Sequence, residues 1–253
     1  SSTTTSMSHA DYYPGAFFIT TKLTFNPEDG TLYGAQCVGH EGVDKRIDQL
    51  AIIIKHKGTI YDLIRLEQAY APPFSSAKDP IAIAGYTAAN IISGKMPVIY
   101  WRDIDGLDRS KVQIIDTRTP SEFSLGTISG AVNIPVDDIR ERMGEIDKSK
   151  PVVTFCAVGL RGYIAARILM ANGYDVRNLS GGYKTYQLAT QDLQCADGND
   201  DSDDSSCSCS CTPGSQCSDS RATLTVDACG LQCPGPILKL KQATDDMQPG
   251  ETI

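Results

Sequence analysis

Between residues 112 and 179, short apolar runs alternate with helix-like segments, and this alternation constrains the chain more than any other feature. Strand-like stretches at 112–116, 131–134, 151–155 and 176–179 are separated by helical patterns near 120–125, 136–143 and 162–172. Strands that return through helices in the same direction require a parallel sheet covered on both faces. Ligands of such sheets sit beyond the carboxyl ends of the strands. Cys156 falls at one of those ends.

The segment Val152-Val153-Thr154-Phe155-Cys156-Ala157-Val158-Gly159-Leu160-Arg161-Gly162 reads as a buried strand, a cysteine, a short loop and a helix start. A loop that curls into a helix N-terminus aims several backbone N–H groups inward, and the helix dipole adds partial positive charge. Such a cradle, from Ala157, Val158, Gly159, Leu160 and Gly162, favours an anion on Cys156 without a histidine base.

Residues 1–94 follow a different rhythm. Positions 17–25 alternate apolar and polar, and a second alternating run at 31–38 follows the turn sequence Asn26-Pro27-Glu28-Asp29-Gly30, so a β-hairpin is predicted. From Val43, helical spacing places Ile47, Leu50, Ala51 and Ile54 on one face, with Gly58 beyond the end. A second helix is predicted from Asp79 to Ile92 and closed by Gly94, giving an α+β unit.

Charge and cysteine usage narrow the partners. With 23 Lys+Arg against 31 Asp+Glu and a net charge of -8, the surface repels phosphate backbones and anionic lipid, so no nucleic-acid partner is expected. No apolar run approaches the roughly 20 residues that span a bilayer. Residues 1–8 are hydroxyl-rich and carry no signal-peptide pattern. Of nine cysteines, Cys37 and Cys156 stand alone and seven lie between Cys195 and Cys233. That uneven, odd set suits a reducing compartment, and a cytoplasmic protein is expected.

Residues 195–220 combine Asp197, Asp200, Asp201, Asp203 and Asp204 with serines and glycines, a composition too polar to bury a core. They read as a tether with a reach of about 28 Å. Its thiols Cys207, Cys209, Cys211 and Cys217, with Cys195, are spaced poorly for a closed tetrahedral metal site, and reactive or incidental linker thiols are the favoured reading. Strand-like and helical patterns restart within 222–253.

At this point three resemblances become specific. Residues 98–190 resemble a single-domain rhodanese: Ile115-Asp116-Thr117-Arg118 is similar to its Asp-x-Arg, residues 126–135 to its Gly-His-Ile-x-Gly-Ala-x-Asn-Ile-Pro stretch, and Gly181-Gly182 to its late Gly-Gly. Thr127 stands where that family has a histidine of mainly structural role. The resemblance implies that Cys156 carries sulfane sulfur as a persulfide, that Arg161 helps to hold an anionic donor, and that Asp116 and Arg118 flank the site. The related cysteine loop of phosphatases and arsenate reductases encloses five residues before its arginine. Cys156 and Arg161 enclose four, a smaller cradle suited to one sulfur atom.

Residues 1–94 resemble the dimerisation domain of flavin-dependent pyridine nucleotide-disulfide oxidoreductases, especially the coenzyme A-disulfide reductase and NADH-dependent persulfide reductase branch. The matching stretches are Tyr12-Tyr13-Pro14-Gly15, Gly39-His40-Glu41-Gly42-Val43-Asp44-Lys45-Arg46-Ile47-Asp48 and residues 67–80. The resemblance implies a homodimer through residues 1–94, with Tyr70 and Tyr12, or Tyr13 in its place, reaching the partner's active site. Val226-Asp227-Ala228-Cys229-Gly230-Leu231-Gln232-Cys233-Pro234-Gly235-Pro236 resembles the TusA/SirA sulfur-carrier motif, and the resemblance implies that Cys233 is a second persulfide carrier. The match covers that domain's first half.

No G-x-G-x-x-G fingerprint occurs in the chain, so no cofactor is expected on these residues. FAD, NADH and coenzyme A belong, by the resemblance, to the longer protein. The chain is expected to be a multidomain sulfurtransferase: dimerisation domain 1–94, rhodanese domain 98–190, linker 195–220 and TusA-like segment 222–253. Its expected donors are thiosulfate, polysulfide or coenzyme A persulfide. The competing expectation is a non-catalytic dimerisation and scaffold module.

Overall fold

The computed structural model describes residues 1–190. Cys233, the linker thiols and the TusA-like segment lie outside the described residues.

The amino-terminal half is a three-stranded antiparallel sheet, β1 (Ser2–Met7), β2 (Phe18–Phe25) and β3 (Leu32–Gly39), ordered β1-β2-β3. The helices α1 (Val43–Lys55), α2 (Ile60–Arg65) and α3 (Pro80–Ile92) complete it. Period-2 alternation in β2 buries Ile19, Thr21, Leu23 and Phe25 on one face. Leu23, Phe25 and Leu32 pack with Leu50 of α1, Ile60 and Leu63 of α2, and Ile81, Ala84 and Ala88 of α3. The hairpin and both long helices match the sequence reading, but β1 and α2 do not appear in it. Strand β1 has no apolar alternation, since its inward positions are the hydroxyl residues Ser2 and Thr4. A pattern built on hydrophobicity passes over such a strand.

The second half is a five-stranded parallel sheet, ordered β4-β8-β7-β5-β6. Its strands are β4 (Val98–Ile99), β5 (Gln113–Asp116), β6 (Ala131–Asn133), β7 (Val152–Phe155) and β8 (Val176–Leu179). Between and after them run α4 (Trp101–Ile104), α5 (Pro120–Ser124), α6 (Ile139–Arg142), α7 (Leu160–Ala171) and α8 (Gly182–Thr190). Neighbouring residues of one strand feed opposite cores. Ile115 and Val152 join Ala165, Ala166, Leu169 and Val176 on one face, whereas Ile114 and Val153 join Ile99, Ile104, Phe155 and Leu179 on the other. Both faces are therefore covered, as the pattern predicts.

Three differences bear on the site. Helix α7 starts at Leu160, two residues before the expected Gly162, because Gly159 at φ 109° turns the chain directly into the helix. Helix α6 is shorter than predicted. Helix α8 follows β8 across Ser180-Gly181 and is absent from the sequence reading. Among the described residues, no helix is long and apolar enough to cross a membrane, and no group of His, Cys, Asp and Glu could hold a metal ion.

Candidate functional site

Strands β5 and β7 are adjacent and parallel, so Asp116 and Phe155 end side by side and Cys156 emerges at the carboxyl edge of the sheet. The Thr117 N–H and hydroxyl both donate to the Phe155 carbonyl, at 2.8 and 2.9 Å, and hold the strand end in place. The Cys156 sulfur accepts the Gly159 N–H at 3.2 Å. It is 1% exposed, at the floor of a loop whose residues Ala157, Val158, Gly159 and Arg161 are half-buried and whose Leu160 is exposed.

Several inward amides were expected on the sulfur, and one, Gly159, is bonded to it. The first-turn N–H groups of α7 have no partner within the helix, and the Arg161 side chain also interacts with the Cys156 sulfur. The loop's carbonyls face the other way: Tyr183 N–H donates to the Cys156 oxygen at 2.8 Å and Lys184 N–H to the Ala157 oxygen at 3.0 Å. This contact needs Gly182, where an added Cβ would lie 2.5 Å from the Cys156 oxygen. Asn178 Nδ2, on β8, donates to the Gly159 carbonyl at 3.1 Å and braces the turn whose N–H holds the sulfur. Sequence reading passed over Asn178, which follows Arg177 as the second polar residue of a four-residue strand.

Arg161 is the loop's cation, and it is already paired. Its Nη1 and Nη2 donate to Glu122 Oε2 and Oε1 at 2.7 and 2.6 Å. Glu122 also accepts the Thr119 N–H and hydroxyl, both at 3.0 Å, as the third-position partner of Thr119 in the capping box of α5. The guanidinium holds the Glu122 carboxyl down to about 2. In return Glu122, and after it the Cys156 thiol, raise the Arg161 pKa. Glu122 was also missed from sequence, although Thr119-Pro120-Ser121-Glu122 is a capping box and so fixes where that carboxylate must sit.

Asp116 and Arg118 form a separate, buried unit. Arg118 Nε donates to both Asp116 oxygens, at 3.0 and 3.1 Å, and its Nη2 to Oδ2 at 2.6 Å. Nη2 also reaches the Gly126 carbonyl at 2.6 Å, and the guanidinium lies 4.4 Å from the centre of the Tyr183 ring. Thr127 donates its hydroxyl to Asp116 Oδ2 at 2.8 Å. Asn133 Nδ2 donates to the Asp116 and Arg118 carbonyls. The pair thus ties β5 to the strand-6 segment and to Tyr183 beside the cysteine loop.

Tyr12 and Tyr70 meet each other, their hydroxyls 3.4 Å apart, and that hydrogen bond raises the Tyr12 pKa. They line a cavity of about 360 Å³ with Met7, Ala10, Asp11, Ser76, Ala77 and Lys78. None of the cysteine-loop residues lines it. The segments carrying the two tyrosines are joined by the Ala10 N–H to the Pro72 carbonyl and by buried Arg46, which donates to the Ser8 carbonyl at 2.7 Å and to Asp79 at 2.6 Å. Tyr13 is also exposed but does not line the cavity. Cys37 is a free thiol, half-buried, whose pKa burial pushes up.

Comparison with known proteins gives three matches in order along the chain. Residues 1–94 match the pyridine nucleotide-disulphide oxidoreductase dimerisation domain, 104–189 the rhodanese-like domain and 224–253 sulfurtransferase TusA. The chain is 42% identical over 80 residues to the coenzyme A disulfide reductase of Staphylococcus epidermidis, covering 32% of this chain and 18% of that protein. It is similar to the reduced CoADR-RHD structure of Bacillus anthracis, at 45% identity and a TM-score of 0.72, over 74% of this chain and 33% of that one. It is also similar to the NAD-dependent persulfide reductase of A. fulgidus, at 36% identity and a TM-score of 0.64, over 72% of this chain and 32% of that one. The chain spans about a third or less of the length of these relatives.

Proposed function

From a chain that joins a pyridine nucleotide-disulphide oxidoreductase dimerisation domain to a rhodanese-like domain and a TusA segment, we propose a sulfurtransferase that carries sulfane sulfur as a persulfide on Cys156. The observation that supports this reading most is the Cys156 sulfur against the Gly159 N–H, in a four-residue loop at the start of α7. A buried thiol with an amide donor and a helix N-terminus beneath it is set up to bear negative charge. The thiolate attacks the outer sulfur of a donor, the donor's S–S or S–SO₃ bond breaks, and the leaving group departs with the electron pair. A second thiolate then takes the outer sulfur from the Cys156 persulfide. Cys233 and the partner reductase site are the proposed acceptors, within the cytoplasm, and thiosulfate, polysulfide and coenzyme A persulfide the proposed donors.

Flavin and nicotinamide have no role in these steps. We place FAD and NADH in the rest of the longer protein, with the Tyr12–Tyr70 cavity of a homodimer presented to that site.

The test is mass spectrometry of the full chain after incubation with each donor. Cys156 is expected to gain one sulfur atom, and Cys156→Ser is expected to lose transferase turnover. Turnover that survives Cys156→Ser overturns the reading. One observation favours a second reading, a dimerising scaffold without chemistry: the thiol is 1% exposed. A Cys156 that stays unloaded with all three donors supports that scaffold.

A further inference from the structure

The one cation of the cysteine loop, Arg161, is spent on Glu122 through both terminal nitrogens. One feature fixes this pair, and a second leaves it open to solvent. Glu122 is tied down independently by the Thr119 N–H and hydroxyl at 3.0 Å, so swinging away would break those two bonds as well. Both side chains are about a third exposed, at 32% and 35%, so the pair is open to solvent beside the loop. A donor approaching Cys156 therefore meets a charge-neutral pair instead of a free guanidinium.

We propose that Glu122 is a specificity-determining residue, which neutralises Arg161 at the mouth of the Cys156 loop and thereby disfavours small dianionic sulfur donors relative to donors with less charge on the reacting unit. This rests on the reading of Cys156 as the sulfur carrier. The chemistry is the same for both donor classes. With its thiol proton lost to solvent, Cys156 attacks the outer sulfur of thiosulfate, the S–S bond breaks, and sulfite leaves with the electron pair, which gives Cys156–S–S⁻ and a dianion. With benzenethiosulfonate the same bond breaks and a sulfinate monoanion leaves. The donors differ by one negative charge, which the Glu122 carboxylate repels.

The test measures kcat/KM of the full chain for both donors in the wild type, Glu122→Gln and Glu122→Asp. Glutamine keeps an acceptor for the Thr119 cap and removes the charge. One unit charge acting on one extra donor charge across a partly solvated mouth amounts to about a fivefold change. Glu122→Gln is thus expected to raise the thiosulfate to benzenethiosulfonate ratio about fivefold, through KM, and Glu122→Asp to restore the wild-type ratio. A second measurement needs no variant. Wild-type turnover of thiosulfate should change less than about twofold with added salt, because a dianion meeting a neutral pair has little attraction to screen. Parallel changes with both donors, loss of loading in Glu122→Gln alone, or a steep wild-type salt dependence would overturn the proposal. A wild-type Cys156 that accepts sulfur from neither donor refutes the underlying sulfur-carrier reading instead.

Discussion

Cys156, Arg161 and Thr127 show how single side chains divide between chemistry and support. Cys156 sits under its loop with one amide on the sulfur, and Arg161 is its nearest fixed charge by sequence, held in turn by Glu122. Because Glu122 is held at about 2 against an ordinary 4.5, its folded-state pKa is depressed. The pair's contribution is fully present above about 4.5 and is lost as pH falls towards 2. No Glu122 titration should therefore appear in donor turnover between about pH 5 and 8. Thr127 has a different task, since its hydroxyl completes the bonding of the buried Asp116 carboxylate. Thr127→Val is expected to cost about 1–2 kcal/mol in urea unfolding while Cys156 still accepts sulfur. Loss of sulfur loading with full stability would place Thr127 in the chemistry instead.

At the scale of elements, two helix starts organise the chain. Helix α7 begins on Gly159, and its turn is braced from β8 by Asn178, so the cradle depends on a neighbouring strand as much as on its own loop. Helix α3 begins on Asp79, which accepts the Ile81 N–H at 3.0 Å and the buried Arg46 guanidinium at 2.6 Å. Through Arg46, the cap of α3 is joined to the Ser8 and Gly42 carbonyls, and so to the ends of β1 and the start of α1. Removing one partner of such a pair leaves the other charge buried and alone, so Asp79→Asn is expected to cost about 3 kcal/mol by chemical denaturation. Burial by itself raises the Asp79 carboxyl, but hydrogen bonds from Arg46 and Ile81 outweigh it and leave the pKa lowered. Its contribution is accordingly full above the ordinary value of 3.8 and lost as pH falls through the folded value. The gap between wild type and Asp79→Asn should narrow only in acid below that value, and a gap that narrows towards alkaline pH would contradict the pairing.

Over the described molecule, the two sheets belong to one compact unit. Asn90 of α3 donates to the Tyr163 hydroxyl of α7 at 3.3 Å, Arg167 of α7 to the Lys95 carbonyl at 2.9 Å, and the Thr3 N–H of β1 to Ser180 at 3.2 Å. Ser180 directly precedes the Gly181-Gly182 turn that closes on the cysteine loop, so the dimerisation domain abuts the segment that shapes the site. The dimerisation domain should pair two chains, and sedimentation is expected to give twice the mass of one. A monomer at micromolar concentration would count against that.

How much was legible beforehand follows from the range of each interaction. The sequence alone determined the parallel sheet, the strand-loop-helix around Cys156, the hairpin and the two long helices of residues 1–94. Those depend on local periodicity, turn residues and caps, which are written within a few positions of each other. It could not disclose β1, whose buried positions are the hydroxyl residues Ser2 and Thr4, of which Thr4 donates to Thr21 of β2, nor the Asn178 brace, nor the exchange of Arg161 from loop cation to partner of Glu122. Those contacts join residues 17, 19 and 39 positions apart, and only folding decides which distant groups become neighbours. The sulfur's single amide and its burial belong to the same class, because the loop's depth is set by how α8 packs on the carbonyls of Cys156 and Ala157.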